Sequence, residues 1–186
     1  MGGEVMRALF IALALFVAAP VVGCAKEARN NGEVVDEVLL AYLSSARSLH
    51  HEADLAEDGG DTGKAIAALD RLLAKPEPRK APEIDEVVSD THARLADLES
   101  RSGRFDVAVK HVDDGLHRAP GVSYFRGHLF EVRGLVEERR AKDLATKGDA
   151  SGAAAAKERA MKAYEEAIAI QDEVIKRGTK PDGDAR

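Results

Sequence analysis

Apolar residues are distributed along this chain in two different ways. Ala8 to Val22 form an unbroken, uncharged apolar run of 15 residues. From Val35 onward they recur instead every three or four positions, the spacing that lines one face of an α-helix. Val35, Leu39, Tyr42, Ala46, Leu49, Ala53 and Ala56 predict a long helix from about Glu33 to Glu57, ended by Asp58-Gly59-Gly60-Asp61. Ala65, Ile66, Leu69, Leu72 and Leu73 predict a second helix. Pro76, Pro78 and Pro82 then make an extended linker, because proline disfavours helix at the residue before it. Ile84, Val87, Val88, Thr91, Leu95 and Leu98 mark the next helix, and Phe105, Ala108, Val109, Val112 and Leu116 the one after, with Ser102-Gly103 between them and Pro120-Gly121 closing the pair. The last pair begins near Ser123 with Tyr124, Phe125, Leu129, Phe130, Val132 and Val136. It turns at Gly148-Asp149 and ends in an Ala-rich helix whose stripe runs through Met161, Tyr164, Ile168 and Ile175. No stretch alternates with the period of a strand, so the expected fold is all-α.

The amino-terminal run obeys a different logic. A spanning helix needs about 20 apolar residues, and this run is shorter and contains Pro20, so it reads as a targeting segment rather than an anchor. Val21-Val22-Gly23-Cys24 resembles the lipobox of bacterial lipoproteins. That resemblance implies a signal peptide over residues 1–23, cleaved before Cys24, and a cysteine acylated as the new amino terminus. Two or three acyl chains, at about 0.8 kcal/mol per buried methylene, hold a domain firmly at a bilayer. Glu4 opposes the positive charge such signals carry, which makes Met6 the expected start. In such lipoproteins an Asp after the cysteine retains the protein at the inner membrane. Ala25 in its place favours the outer membrane, facing the periplasm. Residues 24–32 read as a lipidated polar tether, 33–177 as the helical domain and 178–186 as a disordered tail.

Helix, turn, helix occurs three times, the mark of a stacked array. Gly103-Arg104-Phe105-Asp106-Val107-Ala108, followed by Val112, Gly115 and Pro120, resembles the second helix of a tetratricopeptide repeat, and Leu95-Ala96, with Ala96 12 residues before Ala108, matches the Leu-small pair of its first helix. The third unit resembles the pattern with Phe130, Gly134, Ala160, Tyr164 and Ala167, at a spacing that requires longer helices. The first unit resembles it more loosely through Ala53, Gly60 to Ala65 and Leu69. The likeness covers about Leu43 to Asp172. It implies a right-handed superhelical stack of about three hairpins, with a concave groove lined by the first helix of each.

Composition narrows the function. The chain has 27 Lys and Arg against 33 Asp and Glu, a net charge of -6, which disfavours nonspecific nucleic-acid binding. Only 8 of 186 residues are aromatic and none is Trp, so base or sugar stacking has few platforms. The 32 alanines are the small residues that let helices approach closely. One cysteine excludes an intrachain disulfide and a Cys-rich zinc site.

The candidate chemistry is sparse. Gly59 to Ala65 falls one residue short of a phosphate-loop spacing and has Ala65 where the magnesium-binding hydroxyl would stand, so it reads as a helix–helix turn. His50-His51-Glu52 lacks the second His of a zincin helix. His111 and Asp114, and separately Asp113 and His117, occupy two faces of one helix, which favours a solvated surface over a metal site. Glu137-Glu138-Arg139-Arg140 and Lys142-Asp143 read as a water-facing ion-pair surface. No catalytic residue, metal or cofactor is assigned.

The tetratricopeptide resemblance implies groove-lining positions: His50, His51 and Asp54 in the first unit, Asp90, Arg94, Asp97 and Arg101 in the second, and His128, Glu131, Leu135 and Arg139 in the third. Their mixed charge suits a polar peptide or helix. The expectation is a nonenzymatic, membrane-anchored lipoprotein that binds a protein partner and scaffolds a cell-envelope complex. The alternative is a small-molecule or metal-binding module in which His50, His51 and His128 converge across the groove.

Overall fold

The computed structural model describes residues 36–179, and the regular elements among them are all α-helices: α1 (Glu37–Asp58), α2 (Thr62–Leu73), α3 (Pro82–Arg101), α4 (Phe105–Arg118), α5 (Tyr124–Thr146) and α6 (Ala150–Gly178). The fold class is therefore all-α. The expected signal peptide, Cys24, the expected tether and the chain beyond Thr179 lie outside the described residues. None of the described helices is long and apolar enough to cross a membrane.

Short polar devices set the helix boundaries. Asp36 accepts a hydrogen bond from the Leu39 amide at 2.9 Å, so α1 starts at Glu37 rather than the expected Glu33. The three hairpin turns place Gly60, Gly103 and Gly148 at φ of 75°, 76° and 82°, a left-handed conformation in which a Cβ would clash with the backbone. Asp61 and Asp149 directly follow two of these glycines and cap α2 and α6 through the Lys64 and Gly152 amides. Pro82 opens α3 at its first turn, where a missing N–H costs nothing. α6 runs through Gly178, one residue into the expected tail.

Packing follows chain order. α1 packs on α2 and α3, α3 on α4 and α5, and α5 on α6, while α2 reaches α3 and α4 reaches α5. α3 touches four other helices, and that is why its polar Ser89, Thr91, Glu99 and Ser100 are buried along with its apolar stripe. Ala53, Ala65 and Leu69 share a core with Leu95 and Leu98, and Ala96, Ala108 and Val112 share another with Leu129 and Val136.

Two expectations are overturned at the carboxyl-terminal hairpin. Met161, Ile168 and Ile175 are 63%, 59% and 62% exposed, whereas the buried face of α6 is Ala153, Ala156, Ala160, Ala163, Ala167 and Ile170. Close approach decides this: a Cβ on Gly134 of α5 would strike the Tyr164 ring, and one on Gly127 would lie 3.1 Å from Gln171 Cγ and 3.4 Å from Ile170 Cγ2. Alanines fill most of that interface, Tyr164 and Ile170 enter it where Gly134 and Gly127 leave room, and Met161, Ile168 and Ile175 are turned outward. Glu137 is likewise not part of a water-facing surface. It is 5% exposed, and its Oε2 accepts from Arg159 Nε at 3.0 Å and Nη2 at 2.8 Å, which ties α5 to α6.

Candidate functional site

The residues expected to line a groove fall along the α1–α3–α5 side, and most of their charges are used within the protein. Arg94 donates from Nη2 to Asp54 and to Glu57, both at 2.6 Å. The other Glu57 oxygen meets Arg101 at 3.1 Å, Arg101 pairs with Asp97, and Asp97 accepts from Arg139 at 2.7 Å. Arg139 also donates to Ser100 Oγ at 2.6 Å. One chain of alternating charge thus crosses three helices. Glu57, which links its two halves, is absent from the expected set because it belongs to the last turn of α1, beyond the positions the repeat resemblance supplies.

His50 joins this chain in a defined tautomer. The Thr91 hydroxyl donates its proton to the Val87 carbonyl at 2.7 Å, so it accepts from His50 Nε2 at 3.0 Å. That leaves His50 Nδ1 as an acceptor for Arg94 at 3.3 Å. Burial, and then the Arg94 guanidinium, hold the imidazole pKa below its usual value, against the opposite pull of Asp90 and Asp54. His51 is exposed. His128 stacks on Tyr124 with ring centroids 5.9 Å apart and lies 3.3 Å from Glu131, and Leu135 is half-buried.

Beside the ion-paired stretch, a cleft of about 500 Å³ opens between α1, α3 and the start of α5. Leu43, Val87 and Phe125 form its apolar walls, and Arg47, Glu86 and Asp90 are among its charged lining. Here, unlike in the network, apolar surface and charge are both open to a ligand.

A second cluster lies elsewhere. His92 of α3 and His111 of α4 approach with Nδ1 atoms 3.1 Å apart and rings tilted by 41°, and Asp114 joins them so that one ligand atom from each lies within 4.8 Å of the others. All three are half-buried. Burial first, then the neighbouring His111, pushes the His92 pKa down to about 4. Burial lowers that of His111 as well, opposed by Asp70, Glu99 and Asp114. Among the described residues this is the group of three or more potential metal ligands, and His50, His51 and His128 form no such group.

His111 and Asp114 are therefore not simply a solvated face. Asp113 and His117 do face away: Asp113 pairs with Arg133 of α5, and His117 is exposed. A search along single helices passes over His92 because it lies 19 residues from His111. A signal was present in the hairpin register: if Ala96 lies opposite Ala108, four residues back on α3 and four residues on along α4 put His92 opposite Val112, next to His111. Gly115 makes the approach possible, since a Cβ there would lie 3.1 Å from His92 Cβ and 2.7 Å from Leu129 Cδ2.

No protein-family model matches the chain, and neither a curated protein nor a solved structure is significantly similar to it.

Proposed function

We propose that this protein is a nonenzymatic lipoprotein, held at the bacterial outer membrane by acylated Cys24, whose tetratricopeptide-like hairpins form a right-handed superhelical stack that binds a protein partner of the cell envelope and scaffolds its assembly. The observation that carries the reading is the order of packing. α3 packs between the other first helices, α1 and α5, each hairpin meets only the next, and a charged cleft with apolar walls opens on the side of the first helices. An array of this kind presents side chains from several helices to one extended ligand. The ion-paired network from Asp54 to Arg139 holds α1, α3 and α5 in register, and the cleft at Leu43, Val87 and Phe125 takes the partner's apolar side chain, with Arg47, Glu86 and Asp90 available to its polar flanks.

Site-specific photocrosslinking in intact cells tests this. A crosslinker at Leu43 or Val87 is expected to give one discrete adduct, and one at the exposed Lys157 of α6 none. Equal labelling from both sides, or none from the cleft, would overturn the groove reading. Membrane attachment is read separately: Cys24→Ser is expected to release the protein into the soluble fraction and abolish palmitate labelling, and retention at the membrane would refute the lipidation.

A further inference from the structure

We infer that His92, His111 and Asp114 form a binding site for one divalent first-row transition-metal ion, of the zinc class, that bridges α3 and α4. The donors come from two helices and face one another across a Gly115 crossing too close for any side chain. Two imidazole nitrogens 3.1 Å apart match a shared metal: with bonds of about 2.1 Å, that separation corresponds to an N–metal–N angle of roughly 95°. Asp114 is one helical turn from His111 on the same face and supplies the charged oxygen. Two imidazoles and one carboxylate suit zinc, cobalt or nickel, whereas magnesium and calcium prefer sites made of oxygen.

The surroundings allow an ion to enter. The three side chains are half-buried rather than sealed, and Lys110, which holds Asp114 Oδ2 at 2.6 Å, is largely exposed and free to swing away. Three protein ligands leave further positions to water or to a ligand from solution. The site is also separate from the groove. Asp90, Arg94, Asp97 and Arg101 form one stripe on α3, and His92, two residues from Asp90 at about 100° per residue, points to the other side of the helix. Metal binding therefore neither requires the proposed partner nor fails with it.

The test is titration of the full chain, purified without a polyhistidine tag, with Zn²⁺ or Co²⁺ alone, followed by calorimetry and thermal unfolding. One ion per chain is expected, with the midpoint raised by about 8 °C at a hundredfold excess over Kd. Mg²⁺ and Ca²⁺ are expected to give no shift. His92→Gln and His111→Gln should each weaken binding by at least about tenfold, as loss of even an outer-shell partner does, and Asp114→Asn, on the more exposed side, should weaken it while leaving the metal-free midpoint in place. His50→Gln and Cys24→Ser serve as controls for the other histidines and the thiol, and should bind normally. Absence of saturable binding, or binding that survives both His92→Gln and His111→Gln, would overturn the inference and leave the pair as a plain Nδ1–H···Nδ1 hydrogen bond.

Discussion

Gly115→Ala probes the junction on which both the central hairpin and the histidine pair depend. In an exposed helix this substitution is stabilising by about 1 kcal/mol. Here the new Cβ would lie 2.7 Å from Leu129 Cδ2 and 3.1 Å from both Leu129 Cδ1 and His92 Cβ. Both Leu129 methyls are in the way, and Leu129 is fully buried, so a rotamer change would push them into other core side chains. Relief requires α4 to move several tenths of an ångström from α3 and α5, an overpacking cost of about 1–3 kcal/mol. The net expectation, at the middle of that range, is a loss of about 1 kcal/mol, or a fall in the midpoint of roughly 3 °C for a chain of this size. Urea denaturation followed by circular dichroism measures it, with Gly121→Ala, where a Cβ meets nothing within 4 Å, as the control within about 0.5 kcal/mol. If Gly115→Ala proves as stable as the parent or more so, the close crossing of α3, α4 and α5 is wrong, and the facing geometry of His92 and His111 goes with it.

Arg159→Ala should cost about 2 kcal/mol, because the buried Glu137 carboxylate would keep only Arg140 at 3.8 Å; an unchanged denaturation midpoint would mean that Glu137 is solvated. Gly103→Ala should cost about 1–2 kcal/mol through its φ of 76°, although no atom crowds the position, and Gly103→Asn, which tolerates that conformation, should recover part of it. Acidification should destabilise the fold through His50. Its folded pKa is depressed, so the unfolded chain binds more protons and stability falls as pH drops below about 6.5 towards the folded value. Arg94, Asp90 and Asp54 are the charges acting on it. Thermal unfolding between pH 7.5 and 5 should show a shallower acid slope for His50→Gln than for the parent, and identical slopes would refute the assignment.

Much of the architecture was legible residue by residue. The turns at Gly60-Asp61, Gly103 and Gly148-Asp149 announce themselves because left-handed backbone and side-chain capping are local chemistry, and the α1 stripe of Leu39, Tyr42, Ala46, Leu49 and Ala53 is buried as its spacing requires. Of the expected groove positions, Asp54, Arg94, Asp97, Arg101 and Arg139 join one ion-paired chain, a pairing that depends on distances between helices.

Those distances are what only the tertiary structure decided. Apolar spacing says that a helix has a face, but α6 has two candidate faces. The buried one carries the alanines, with Tyr164 and Ile170 seated against Gly134 and Gly127, and Met161, Ile168 and Ile175 are left exposed. Glu137 reads as a surface charge until α6 covers it with Arg159. His92 and His111 are unremarkable singly and become a pair only where α3 and α4 cross at Gly115. Local sequence determines backbone conformation through interactions within a few residues, whereas burial, pairing and metal-ligand geometry depend on which helix arrives from elsewhere in the chain and how closely it can approach.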